Sequence, residues 1–100
     1  MVKVVVLYGP PSDPTAFEDY YANTHMPLVA KMPNVRRAEA SRVVATPDGS
    51  PPPYYRTFEA WFDSHEDFQG SFGSPEGQAT VADVGNFASG GATILITEVD

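Results

Sequence analysis

A chain of 100 residues, 42% of them hydrophobic and 12% aromatic, is one domain with enough apolar material for a single core. Six basic residues against thirteen acidic ones give a formal charge of −7, which argues against nucleic acid and anionic membranes as partners and, more weakly, against a highly charged anionic substrate. The absence of cysteine excludes disulfides, thiolate catalysis and cysteine metal sites.

The first segment, Val2 to Tyr8, is rich in β-branched residues and stops at Gly9-Pro10-Pro11, which predicts a strand buried on at least one face. Its apolar run is too short to span a membrane and has neither the h-region nor the cleavage site of a signal peptide, so a cytoplasmic location is expected. Asp13 followed by Pro14 marks a helix start. Phe17, Tyr20, Tyr21, Thr24 and Leu28 then recur at helical spacing on one mostly apolar face, and Pro33-Asn34 closes the helix after about Lys31. Pro27 lies inside that pattern. It lacks an N–H and presses on the carbonyl four residues back, that of Asn23, so the backbone beside His25 is expected to kink.

Val35 to Ala45 reads as a second strand, partly exposed, and Thr46 to Pro53 as a loop. Tyr54 to Phe62 is a third strand, whose alternation puts Tyr54, Arg56, Phe58, Ala60 and Phe62 on one face and Tyr55, Thr57, Glu59 and Trp61 on the other. Ser64 caps a short helix interrupted by Gly70 and Gly73, and Ser74-Pro75-Glu76 opens another that runs to about Val84. Gly90-Gly91 turns the chain into a last strand, Ala92 to Val99. The order predicts an α+β, ferredoxin-like βαββαβ domain: a four-stranded antiparallel sheet with helices on one face. Strands one, three and four are apolar on both sides, so the other face calls for a cover, and a homodimer with the sheets packed face to face supplies it.

His25 is the best functional candidate. An imidazole near a helix break can take a proton from a carbon beside a carbonyl or give one to a leaving hydroxyl, and the end of the half-helix favours its protonated form. The plainer alternative is a packed histidine that plugs the kink. Tyr8, Tyr20, Tyr21, Phe58 and Trp61 are candidates for lining a mainly apolar pocket between the first helix and the sheet, or are simply core. Arg56 and Glu59 lie on opposite faces of their strand, and Arg56, if it points inward, would anchor a carbonyl or phenolate oxygen. Asp83, with Asn86, is placed to reach His25 and orient it; the weightier alternative is that Asp83 caps its helix or faces water. His65 reads as a solvated residue at a helix start. No histidine pair has metal-ligand spacing and no glycine run matches a nucleotide loop, so neither a metal nor another cofactor is expected.

Taken together and in order, Tyr20-Tyr21, His25-Met26-Pro27-Leu28, Phe62-Asp63-Ser64, Ser74-Pro75-Glu76-Gly77 and Asp83 through Asn86-Phe87 resemble the EthD family, named for a protein linked to bacterial ethyl tert-butyl ether degradation. The resemblance covers essentially the whole chain and implies a dimeric α+β barrel. Relatives of that fold include muconolactone-type isomerases, cofactor-independent monooxygenases of aromatic polyketides and, more distantly, haem-binding enzymes. The expected function is binding of a small hydrophobic or aromatic molecule, with cofactor-independent acid/base turnover of isomerase, dehydratase or monooxygenase type in a degradation or polyketide-like pathway. The alternatives are a non-enzymatic accessory or carrier protein, or a structural dimer.

Overall fold

In the computed structural model, which describes residues 1–100, β1 (Val2–Tyr8), β2 (Arg37–Arg42), β3 (Arg56–Phe62) and β4 (Ala92–Glu98) form one antiparallel sheet in the order β2-β3-β1-β4. Between them come α1 (Pro14–Tyr20), a π-helical turn (Tyr21–His25), α2 (Met26–Val29), α3 (His65–Gly73), α4 (Pro75–Asp83) and a 3₁₀ turn (Val84–Asn86). This is the ferredoxin-like arrangement that the element order predicts. The period of two decides the layering: Val2, Val4, Val6 and Tyr8 of β1 are buried with Phe58, Ala60 and Phe62 of β3, while the alternate residues of both strands are only half-covered.

The three predicted helix starts are all capped as read. Asp13 accepts from the Ala16 amide at 3.1 Å, Ser64 from Asp67 at 3.1 Å and Ser74 from Gly77 at 3.0 Å. Gly70 does not interrupt its helix: α3 continues through it to Gly73, since a single glycine weakens a helix without ending one. The critical glycine is Gly77. A Cβ there would lie 2.1 Å from the Ser71 carbonyl oxygen, so only glycine lets α4 fold back this tightly on α3. Asn34 closes the first helical segment with φ 67°, a left-handed conformation that asparagine tolerates.

The kink predicted at Pro27 takes a specific form. The Met26 amide donates to the Tyr21 carbonyl, five residues back, which widens one turn into a π-turn just before the residue that has no N–H to give. The buried residues of this segment are Phe17, Tyr21, His25 and Val29, spaced by four. In an unbroken α-helix every fourth residue drifts ahead by about 40°, and the wider turn cancels that drift, keeping all four on the sheet. The predicted face therefore shifts: Thr24 is exposed, and His25 takes the inward position.

The helices cover β1 and β3 and leave the outer strands bare. β2 is exposed throughout, more than the partial exposure expected, and Ile94, Leu95 and Ile96 of β4 are 41%, 47% and 44% exposed. On the face away from the helices, Trp61 lies beneath Lys3 (5.6 Å to the ring centroid) and Arg37 (4.9 Å), and Lys3 pairs with Glu59 at 3.0 Å. No helix is long and apolar enough to cross a membrane.

Candidate functional site

The π-turn and the end of α4 meet at a polar cluster centred on Asp83, in which His25 and Asp83 are buried, Tyr20 is half-buried and Asn86 is exposed. The His25 ring, 3% exposed, bonds through Nδ1 to Asp83 Oδ2 at 3.0 Å. Tyr20 Oη donates to Asp83 Oδ1 at 2.6 Å, and Asn86 Nδ2 donates to the same oxygen at 3.0 Å. Both oxygens of the carboxylate are engaged, one turned to the imidazole and the other gripped from two sides. Burial alone would push the Asp83 carboxyl up, but the hydrogen bonds from Tyr20, Asn86 and His25 outweigh it and hold Asp83 below the usual carboxylate range. The same bond pushes the Tyr20 phenol up, with burial adding to it. Between a cap and an orienting partner for His25, the geometry favours the second.

Aromatic rings fix the imidazole from its sides. Phe87 lies 4.6 Å away between ring centroids, and Tyr21 stacks at 5.8 Å with a 23° tilt. Nδ1 makes the ring's hydrogen bond, so Nε2 is the nitrogen left to act on anything bound. His25 also lines an apolar cavity of about 40 Å³ between the helices and the sheet, walled by Val29, Met32, Phe58, Phe62 and Phe72 among others. An oriented imidazole at the wall of such a cavity has the parts of a general acid/base: a nitrogen able to exchange a proton, and a carboxylate that sets its tautomer.

The other predicted site residues separate into groups. Phe58 lines the His25 cavity. Tyr20 acts on Asp83 and borders a different, more polar groove of about 240 Å³ beside Ser12 and Ser89. Tyr8 is 2% exposed and packs edge-on against Phe17 and Tyr21; burial first, then Tyr21, pushes its phenol well up. Arg56 does point to the helix side, but Glu18 already holds it through two bonds, Nη2 to Oε1 at 2.8 Å and Nε to Oε2 at 3.2 Å. Its guanidinium lies 4.7 Å over the Tyr21 ring. It is thus a clamp between α1 and β3 rather than a free anchor. Tyr21 keeps a buried hydroxyl without a partner, and burial pushes that phenol up to about 12.

Trp61 requires a correction. It stands on the opposite face of the sheet from His25, because it lies three positions, an odd step, from Phe58 and strand side chains alternate. It cannot shape a pocket between the first helix and the sheet. Three further participants carried weak sequence signals. Glu18 reads as a charge near a helix start, and nothing local marks it as the partner of Arg56 thirty-eight residues on. Met32 and Val35 flank a turn and gain their place on the cavity only from the way that turn folds back.

Comparison with known proteins places the whole chain. An uncharacterized 11.0 kDa protein from the thcB-thcC intergenic region of Rhodococcus erythropolis is 43% identical over 98 residues, spanning 98% of this chain and 94% of that protein. The crystal structure of an ethyl tert-butyl ether degradation (EthD) family protein from Bacillus halodurans superposes with a TM-score of 0.93 at 37% identity, covering 100% of this chain and 99% of the other. At lower identity the likeness is one of fold. A dimeric ferredoxin-like protein of unknown function from Thermobifida fusca has a TM-score of 0.72 at 12% identity, with 98% and 90% of the two chains covered. A cofactor-independent oxygenase from Streptomyces nogalater has a TM-score of 0.70 at 16% identity, with 98% and 91% covered. Residues 9–91 match the EthD domain, and the chain belongs to the EthD family.

Proposed function

We propose that this protein is a homodimer that binds a small hydrophobic or aromatic molecule beside His25 and turns it over by acid/base chemistry without a cofactor. The observation that carries this reading is the His25–Asp83 pair, 3.0 Å apart, at the wall of an apolar cavity. A carboxylate bonded to Nδ1 fixes the tautomer and steadies the imidazolium that forms when Nε2 takes a proton. Such a group suits proton transfer beside a carbonyl, the step common to isomerisation and dehydration. That a protein of this fold from Streptomyces nogalater is a cofactor-independent oxygenase supports a cofactor-free reaction of some kind. The dimer is supported by dimeric relatives of the fold and by the bare apolar residues of β4.

A second reading, a carrier that uses the same cavity without chemistry, is favoured by the cavity wall, where His25 and Thr80 are the two groups that are not hydrophobic. The test is thermal unfolding of the wild type and His25→Gln against a panel of phenols, quinones and lactones, followed by turnover assays on any compound that raises the melting temperature. An enzyme keeps its fold in His25→Gln and loses turnover. A carrier changes affinity alone. A variant that melts early while no compound stabilises the wild type refutes the site.

A further inference from the structure

We propose that ligand reaches His25 through the apolar groove between α2 and β2, past Met32, and that the site takes a molecule with one polar group at its inner end and a carbon tail in that groove. This rests on the reading of the His25 cavity as the ligand site and adds its mouth and its specificity.

The argument starts from size. The cavity at His25 holds about 40 Å³, room for one functional group or a few atoms, whereas ordinary small-molecule sites begin at about 300 Å³. The rest of any ligand must lie elsewhere. A second hollow, of about 310 Å³, lies between α2 and β2 and is lined only by hydrophobic residues, Met26, Val29, Ala30, Met32, Val35 and Ala38. Val29, Met32 and Val35 line both spaces, so the two share a wall and differ in depth. Val29 is buried on the helix, while Met32 and Val35 are half-exposed on the connection between α2 and β2. Of these, methionine has the unbranched, three-bond side chain that changes rotamer at least cost, which makes Met32 the movable part of the partition.

The opposite approach is closed. The polar groove beside Ser12 and Ser89 comes no nearer to His25 than Tyr20, Asn86 and Phe87. Two of these are bonded to Asp83, and Phe87, 8% exposed, packs against the imidazole itself.

Polar capacity sets the ligand class. Thr80 Oγ1 already donates to the Glu76 carbonyl at 2.8 Å, and His25 Nδ1 is committed to Asp83. Thr80 Oγ1 can still accept a hydrogen bond, so Nε2, once protonated, is the one position at the inner end that can donate. A molecule that brought two hydrogen-bond acceptors there would leave one buried and unpaired, a cost that selects against it. The groove, with no polar side chain, takes hydrocarbon.

The test needs no substrate. Diethyl pyrocarbonate acylates an imidazole nitrogen, and the ring proton passes to the departing ethyl carbonate, which breaks down to ethanol and carbon dioxide. Peptide mass spectrometry reads His25 separately, with the exposed His65 as an internal standard. Relative to His65, the His25 rate should rise several-fold in Met32→Ala. It should fall several-fold in Met32→Trp and in Ala38→Trp, the latter at an exposed position where the added ring fills the groove without entering the core. Ala16→Trp, which fills the polar groove instead, should leave the rate unchanged. Equal His25 rates in all four variants, or a fall only in Ala16→Trp, would overturn the route. A normal response to the groove variants together with turnover that survives His25→Gln would leave the route standing and remove the acid/base role.

Discussion

Asp83→Asn exchanges a carboxylate for an amide of the same shape, and the surroundings dictate how the amide must sit. Tyr20 Oη and Asn86 Nδ2 both donate to one oxygen, so the amide carbonyl belongs there and the NH₂ faces His25 Nδ1. Nδ1 must then accept, which moves the imidazole proton to Nε2. Three charge-assisted bonds become neutral ones. A hydrogen bond to a charged group contributes about 1.5–3 kcal/mol against about 1 for a neutral one, so the three bonds together lose about 1.5–6 kcal/mol; the amide escapes the desolvation of a buried charge, which offsets part of this and leaves a net loss of about 2 kcal/mol. For a domain of this size that corresponds to a fall in Tm of about 8–16 °C at fixed protein concentration. The pH dependence follows from the depressed Asp83 carboxyl. A group whose pKa is lower folded than unfolded contributes stability that is fully present above its unfolded value, about 3.9, and is lost as pH falls through the folded one. The gap in Tm between wild type and variant should therefore be full at pH 7 and narrow below about pH 4. Calorimetry from pH 3 to 7 measures the gap, and long-range ¹⁵N–¹H correlation of the His25 ring reads the tautomer. An unchanged tautomer, or a gap of constant size across that range, would refute the assignment of Asp83 as the group that orients His25.

Three further outcomes are expected. Tyr21→Phe removes a buried hydroxyl that has no partner, so the urea midpoint should hold or rise, by up to about 1 kcal/mol in stability; a loss of that size would mean the hydroxyl is bonded after all. Gly77→Ala places a methyl against the Ser71 carbonyl and should cost about 1–3 kcal/mol by the same measurement, with Gly73→Ala, whose added methyl meets nothing within 4 Å, as a milder control. Leu95→Lys, at a half-exposed apolar position on the uncovered face of β4, should weaken self-association by about 100-fold, since each of two symmetry-related copies would lose about 1.5 kcal/mol of burial. Sedimentation equilibrium reads this, and an unchanged dissociation constant would place the interface elsewhere.

Local chemistry determined most of the architecture. The caps at Asp13, Ser64 and Ser74, the breakers Gly9-Pro10-Pro11 and Pro33-Asn34, and the alternation of β1 and β3 act over a few residues, so a linear reading recovers them and with them the ferredoxin-like order. The kink beside His25 was legible for the same reason, because a proline without an N–H disturbs its own turn. Tertiary structure decided what depends on distant partners. Asp83 becomes the orienting group of His25 only because the end of α4 lands on the π-turn, fifty-eight residues away in sequence. Arg56 is a clamp and not an anchor because Glu18, on α1, accepts both of its hydrogen bonds. The inward face of the first helical segment runs through His25 and not Thr24 because one wide turn offsets the drift of a regular helix, a backbone adjustment that no side-chain spacing announces. Even the exclusion of Trp61 from the site was contained in the period of two, and needed only the knowledge of which face the helices cover.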